Sequence, residues 1–443
     1  MINSKIFEHQ WATSECHAIF AETSRVARWL EILIVLAEAQ AECGIIPAES
    51  ADEIAKLRNV ELPIDDIAVR TRETSHSTLG MIQVLCDLLP ETAAEHIYYG
   101  ATVQDITDTS QVLELRAVGS LLWRDLWLLE DDLLNMAVRH RSTYMAGRTH
   151  GQLGSPISFG FKVAAWADEI GRHLQRMREG SNRLLVGQLS GAVGTLAFFG
   201  DRALDLRAAF CRRLDLGEPD ISWISTRDRL AEFAHLIAMC TSSLARIANE
   251  VYNLQRQEIG ELAERTRSST VGSITMPHKR NPEGSEQIVT LAHLVRAQAS
   301  VLTDTMVHEH ERDGRSWKAE WAVFPEICYY ALAATAMARE LVSGLEVDSA
   351  AMDRNLGAGS SSEHLLSLLS DRMGKHHAQT LLHEAYREAR EEQRPLEAVL
   401  EGVATDSELA ELANVNIGAS GVMIDRVVET ARHRRSSESE QWQ

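Results

Sequence analysis

The chain reads as an all-α protein of three parts built around a bundle of long helices. Three observations predict this. Pro and Gly are few, 9 and 26 in 443 residues, which leaves too few turn formers for a turn-rich β-sandwich. Apolar residues recur every three or four positions over unusually long segments. Only a few short Gly-, Ser-, Thr- and Pro-containing stretches interrupt them.

Taken in order, Ser24 to Cys43 carries a helical stripe that ends in CGIIP, stopped by Gly44 and Pro47. A second helical stretch, Ser75 to Leu89, stops at Pro90, so residues 1–100 read as a small helical domain. Between Thr109 and Arg141, Leu115, Val118, Leu122, Leu126, Leu129, Leu133 and Met136 follow at spacings of three or four. Further stripes run from Pro156 to Val186, from Arg227 to Leu262, and from Pro282 past Leu302. Helices of ~30 residues far exceed the globular mean of ~11–12, and stripes that long bury against one another in a bundle. This central part spans residues 101–345 and contains the segment 269–286. Ala231, Ala234, Ala238, Ser242, Ala245 and Ala248 predict close helix packing, part of it between subunits. After Glu346 the stripes shorten, so 346–443 reads as a smaller helical domain whose polar tail, Arg432 to Gln443, should fray.

The formal net charge of −20 argues against nucleic acid as a partner. A small anion needs only a local cationic pocket, which Lys279 and Arg280 can supply. Six widely spaced cysteines without a CxxC pair predict reduced thiols and a cytoplasmic setting. Met1 to Phe20 lacks the basic start and apolar core of a signal peptide. No apolar run reaches the ~20 residues that span a bilayer, so no membrane partner is expected.

Four interruptions break the helical pattern: ETSHST (73–78), YYGATVQDITDT (98–109), AGRTHGQLGSP (146–156) and STVGSITMPHKRNPEGSE (269–286). Two prolines five residues apart, Pro277 and Pro282, suit neither helix nor strand. In an all-α bundle, chemistry gathers where helices end, because their N-termini offer free N–H groups and a positive dipole. Alone, each stretch is ordinary. Thr102 is a helix N-cap, His150 a loop histidine and His76 a helix-start residue. Glu286 is a helix-entry carboxylate, and Ser273 is part of a linker. Together they form a pattern. G-S-x-x-M-P-x-K-x-N, from Gly272, Ser273, Met276, Pro277, Lys279 and Asn281, fixes six residue types. Chance would produce it in on the order of one in 10⁵ such chains. It resembles the signature of the fumarase/aspartase superfamily, and GRTHGQ and GATVQDITDT resemble that family's other two regions in the same order.

The resemblance implies a homotetramer with a shared helical core, and a mobile loop over a site drawn from three subunits. It implies proton abstraction next to a carboxylate of a small anionic polycarboxylate, with loss of a nitrogen or oxygen group from the neighbouring carbon. No metal and no organic cofactor is implied. Such a C–H is very weakly acidic, so fixed donors must hold the carboxylate-enolate, and a base and an acid must flank it. By resemblance Ser273 is the base, with its alkoxide held by backbone N–H groups and a cation. His150 protonates the leaving group, and Glu286 orients it. By the same resemblance His76 is catalytic, matching a second histidine of adenylosuccinate lyases that assists near the substrate. Thr102, Thr149, Lys279 and Asn281 form the carboxylate clamp, with Arg229 and Met276 also placed against substrate. HEHERD, His308 to Asp313, lacks HExxH spacing, and its two histidines face apart on a helix.

Two branches fit best. Adenylosuccinate lyases follow HERD with a Ser-Ser-x-x-Arg run that grips a phosphate, whereas here Trp321 stands at the arginine position. An indole cannot replace a bidentate guanidinium on phosphate. WKAEW, AQAECGIIP, QLSGAVGTLA and EIGELAE resemble the 3-carboxy-cis,cis-muconate cycloisomerase branch instead. The chain departs from both at Val103, Thr226, Ser77 and Ile274. The expectation is a cycloisomerase-like lyase, with adenylosuccinate lyase or another fumarate-releasing C–N lyase as the alternative. A non-enzymatic structural descendant is the third reading.

Overall fold

The computed structural model describes residues 1–266, 273–356, 362–411 and 414–442. Five long helices dominate: Val103–Arg139, Phe159–Leu184, Asp228–Leu254, Glu283–Asp304 and Gly314–Ser343. The stripes of apolar spacing account for the first four. The fifth carries Pro325 in its interior and opens on the mixed run GRSWKAEW, which hid its period. Proline lacks the N–H that would bond back to the carbonyl of Trp321, so the helix forgoes one backbone hydrogen bond there.

The 103–139 helix starts where Thr102 turns the chain. The backbone N–H of Thr102 donates to the Asp105 carboxylate at 2.8 Å, which places an acid in the first turn, where the dipole favours it. Its other end leads into a short antiparallel hairpin, Tyr144–Thr149 against Gln152–Ser158. His150 and Gly151 both have positive φ, 53° and 75°, the two-residue turn whose twist matches the strands. A second small ladder pairs Leu262–Ala263 with Glu346–Val347.

The division into 1–100, 101–345 and 346–443 stands as a proposal for folding units. One apolar cluster fills the bundle, with Trp123, Phe159, Trp166, Phe233 and Phe324 deeply buried. A second joins the 22–42 helix and its neighbours to Ile106, Val112, Phe210 and Trp223. A third lies between Leu365 and Ala404. The chain end departs from the expected fraying: Trp442 is only 5% exposed. It packs over Gly119, where any Cβ would collide with the indole, and its Nε1 donates to the Met177 carbonyl at 2.9 Å. Among the described residues no helix is long and apolar enough to cross a membrane.

Candidate active site

The sequence-predicted residues fall into two groups at opposite ends of the bundle. At the first end, Thr102 opens the 103–139 helix, and both terminal nitrogens of Arg312 donate to its hydroxyl at 3.1 Å. Behind it, Asp105 is fully buried and accepts from the N–H groups of Thr102, Ser190 and Gly191. Burial pushes its carboxyl up to about 7, against the pull of those three donors. One turn on, Asp108 shares the buried guanidinium of Arg227 with Glu320, at 2.8 and 2.5 Å. Trp317 Nε1 donates to Asp108 at 3.1 Å. This network joins the starts of the 103–139, 228–254 and 314–343 helices.

The other predicted residues of this end are engaged as follows. His76 Nδ1 accepts from the N–H of Thr78 and of Leu79, at 3.4 and 3.3 Å, and so caps the 79–88 helix. Arg229 donates to the Arg183 carbonyl at 2.9 Å and stacks 5.8 Å over Trp223. Val103 is buried, Ser77 half-buried and Thr226 exposed.

At the second end, Thr149 and His150 are exposed at the hairpin tip. A non-glycine residue at positive φ is strained, and it holds only where the surroundings over-determine it. Here Arg148 of the same strand forks onto the buried Glu261 at 2.9 and 2.5 Å, and Asn355 bonds the same carboxylate. The segment just after Glu261 also holds the base of the loop. Arg280 donates to the Glu264 carbonyl and to Thr266 Oγ1. The Glu264 carboxylate accepts from the N–H groups of Gly284 and Ser285, capping the 283–304 helix. It is therefore Glu264 that caps this helix; Glu286 stays exposed in its first turn.

Within the loop, the N–H of Met276 donates to Ser273 Oγ at 3.0 Å. Lys279, Met276 and Ile274 are exposed, Ile274 by 93%. Gly272, the first residue of the pattern, lies outside the described residues. Sequence reading missed Arg148, Glu261, Glu264, Arg227 and Arg312. GRTHGQ, EIGELAE and HERD contained four of them, but nothing local tells which partners they meet.

The two groups do not meet within one chain. The 103–139 helix has 37 residues, about 55 Å at 1.5 Å per residue, and it separates Thr102 from the hairpin. The 228–254 helix has 27 residues, about 40 Å, and it separates the Arg227 network from the segment that anchors the loop.

Fold and loop together define a helical lyase scaffold. Residues 8–297 match the family model described as Lyase. The N-acetyl-S-(2-succino)cysteine lyase of Dickeya dadantii is 37% identical, covering 90% of this chain and 89% of that one. The 3-carboxy-cis,cis-muconate cycloisomerase of Pseudomonas aeruginosa is 35% identical, covering 97% of this chain and 93% of that one. The crystal structure of 3-carboxy-cis,cis-muconate lactonizing enzyme from Pseudomonas putida superposes with a TM-score of 0.89 at 31% identity, covering 97% and 99%. The chain belongs to the fumarase/aspartase superfamily and is an enzyme of the lyase family.

Proposed function

We propose that the protein releases fumarate from a small succinyl adduct, breaking the bond between the succinyl carbon and a sulfur or nitrogen. Ser273 takes the proton from the carbon next to one carboxylate, and the C–S or C–N pair of electrons leaves with the heteroatom. His150, oriented by Glu286, returns a proton to it, giving fumarate and a thiol or amine. Thr102, Thr149, Lys279 and Asn281 hold the carboxylates, with Met276 and Arg229 beside them. Because the two groups of residues lie tens of ångströms apart along one chain, the site is assembled from several copies, in a homotetramer. No metal or organic cofactor takes part.

The observation that carries this reading is the N–H of Met276 donating to Ser273 Oγ. A hydrogen bond into the oxygen favours the alkoxide over the hydroxyl, which is what a serine base requires. The relatives support a sulfur or nitrogen leaving group, since the Dickeya protein is a succinocysteine lyase by name. A second reading, the cycloisomerase reaction on carboxymuconate, rests on WKAEW and on the Pseudomonas relatives. Adenylosuccinate is disfavoured by Trp321 at the phosphate-gripping position.

The test is to incubate the purified protein with S-(2-succinyl) and N-(2-succinyl) adducts, adenylosuccinate and carboxymuconate, following fumarate or lactone by absorbance. Fumarate from a succinyl thioether or amine, lost in Ser273→Ala, is the expected result. Turnover of carboxymuconate alone would move the assignment to the second reading.

A further inference from the structure

The hairpin that carries His150 has a break in its ladder. Near the root, Tyr144, Met145 and Ala146 pair with Ser158, Ile157 and Pro156 in one register. The register then shifts by one, so that Gly147 faces both Gly154 and Ser155. Two rungs remain beyond it, Arg148 with Leu153 and Thr149 with Gln152, before His150 turns the chain at a φ of 53°. A bulge re-aims the strand that follows it, so the root ladder does not by itself fix the tip. We infer that Arg148 and Glu261 are positioning residues for His150. Their ion pair fixes the tip from which the imidazole returns a proton to the leaving group. The inference rests on the proposed role of His150 as that proton donor.

The tip supplies little hold of its own. Thr149, His150, Gly151, Gln152 and Leu153 are all exposed, so apolar burial does not pin them. Among the described residues, the side-chain hydrogen bonds that leave the tip are those of Ser155 and Arg148. Ser155 lies within the bulge and reaches the exposed Glu363, where water competes for both partners. Arg148 lies on the far side of the bulge, two residues from His150. Two of its nitrogens meet the two oxygens of the Glu261 carboxylate, which is 0% exposed. A planar fork on a planar carboxylate sets direction as well as distance.

Glu261 is itself a fixed point. Its N–H donates to the carbonyl of Leu254, the last residue of the 228–254 helix, at 2.9 Å. Its carbonyl accepts from the N–H of Asp348 at 3.0 Å, and Asn355 Nδ2 donates to its carboxylate at 2.8 Å. The tip is thus referred to the helical bundle through one carboxylate rather than through its own strand. Three residues on, Glu264 serves the Ser273 loop. Arg148 bonds to neither the loop nor its base, so it is the residue to change.

Two succinyl thioethers separate proton return from proton abstraction. An aryl thiolate departs without a proton, whereas an alkyl thiolate needs one. Arg148→Lys keeps the charge and loses the fork. Its kcat on the alkyl thioether should fall about 10–100-fold, a share of the ~10²–10⁴ that a general acid supplies, and on the aryl thioether less than about threefold. Added to His150→Ala, Arg148→Lys should cost less than about twofold more, because it acts through the imidazole. Arg148→Met with Glu261→Leu removes both charges together, so no buried charge is left unpaired, and should repeat the pattern. Equal losses on both thioethers in Arg148→Lys, or losses that multiply with His150→Ala, overturn the inference.

The proposed reaction fails differently. His150→Ala would then lose activity equally on aryl and alkyl leaving groups, and the same pair of variants, run on carboxymuconate, still decides whether Arg148 acts through His150. If no substrate turns over, hydrogen exchange across residues 144–158 decides. Exchange about tenfold faster in Arg148→Lys at an unchanged melting temperature supports the inference, and equal exchange overturns it.

Discussion

At the Thr102 end, the Arg227 and Asp105 networks are buried and paired. Arg227 sits between Asp108 and Glu320, and Asp105 takes three backbone N–H groups. At the Ser273 end, His150, Met276 and Lys279 are exposed, and Arg280 and Glu264 tie down the base of the loop. One end uses buried charges to fix helix starts against each other; the other leaves His150 and Lys279 exposed above an anchored base. The difference separates two jobs that share one sequence. Changes to the buried Arg227 network at the first end should act on stability, and changes in the Ser273 loop on turnover.

The largest expected effect is Ser273→Ala. On the proposed mechanism kcat/KM falls by about 10³–10⁴-fold, with a melting temperature equal to wild type. A comparable loss of melting temperature would break the contrast. Arg227→Ala should do the reverse at its end, removing about 3–5 kcal/mol of stability by leaving two buried carboxylates uncompensated; urea unfolding measures it. Arg280→Ala loosens the loop base and should lower kcat by about tenfold or more with little change in stability, since small misplacements of reacting groups are expensive.

Asp105 sharpens the comparison through pH. Its folded-state pKa, about 7, lies above the unfolded carboxyl value of ~3.9, so the folded state binds the extra proton. Stability should therefore fall as pH rises from about 4 to about 7. Asp105→Asn should flatten that slope in a series of urea midpoints. The smallest effect belongs to His76→Ala. Loss of the cap on the 79–88 helix should cost about 1 kcal/mol while kcat holds. A fall in kcat at unchanged melting temperature would instead give His76 a part in the reaction.

Much of this was legible in the sequence because it is local. Helical stripes, the helix start at Thr102 and the interruption around Pro277 and Pro282 each depend on neighbours within a few residues. The Arg227 network was not legible, since its partners lie 119 and 93 residues away. The 314–343 helix was hidden by an internal proline, and the burial of Trp442 by a glycine more than three hundred positions earlier. The hairpin tip was read as a break in helix. Its turn type follows from His-Gly at two positive-φ positions, a pairing that residue preference alone does not announce.

A rod of about 55 Å between Thr102 and the hairpin has a genetic consequence. If every working centre borrows from several copies, two dead alleles need not make a dead cell. Chains crippled by Thr102→Val and chains crippled by Ser273→Ala, unfolded together and reassembled, would form some centres with all parts intact. The mixture should regain a fraction of the activity that neither pure preparation has.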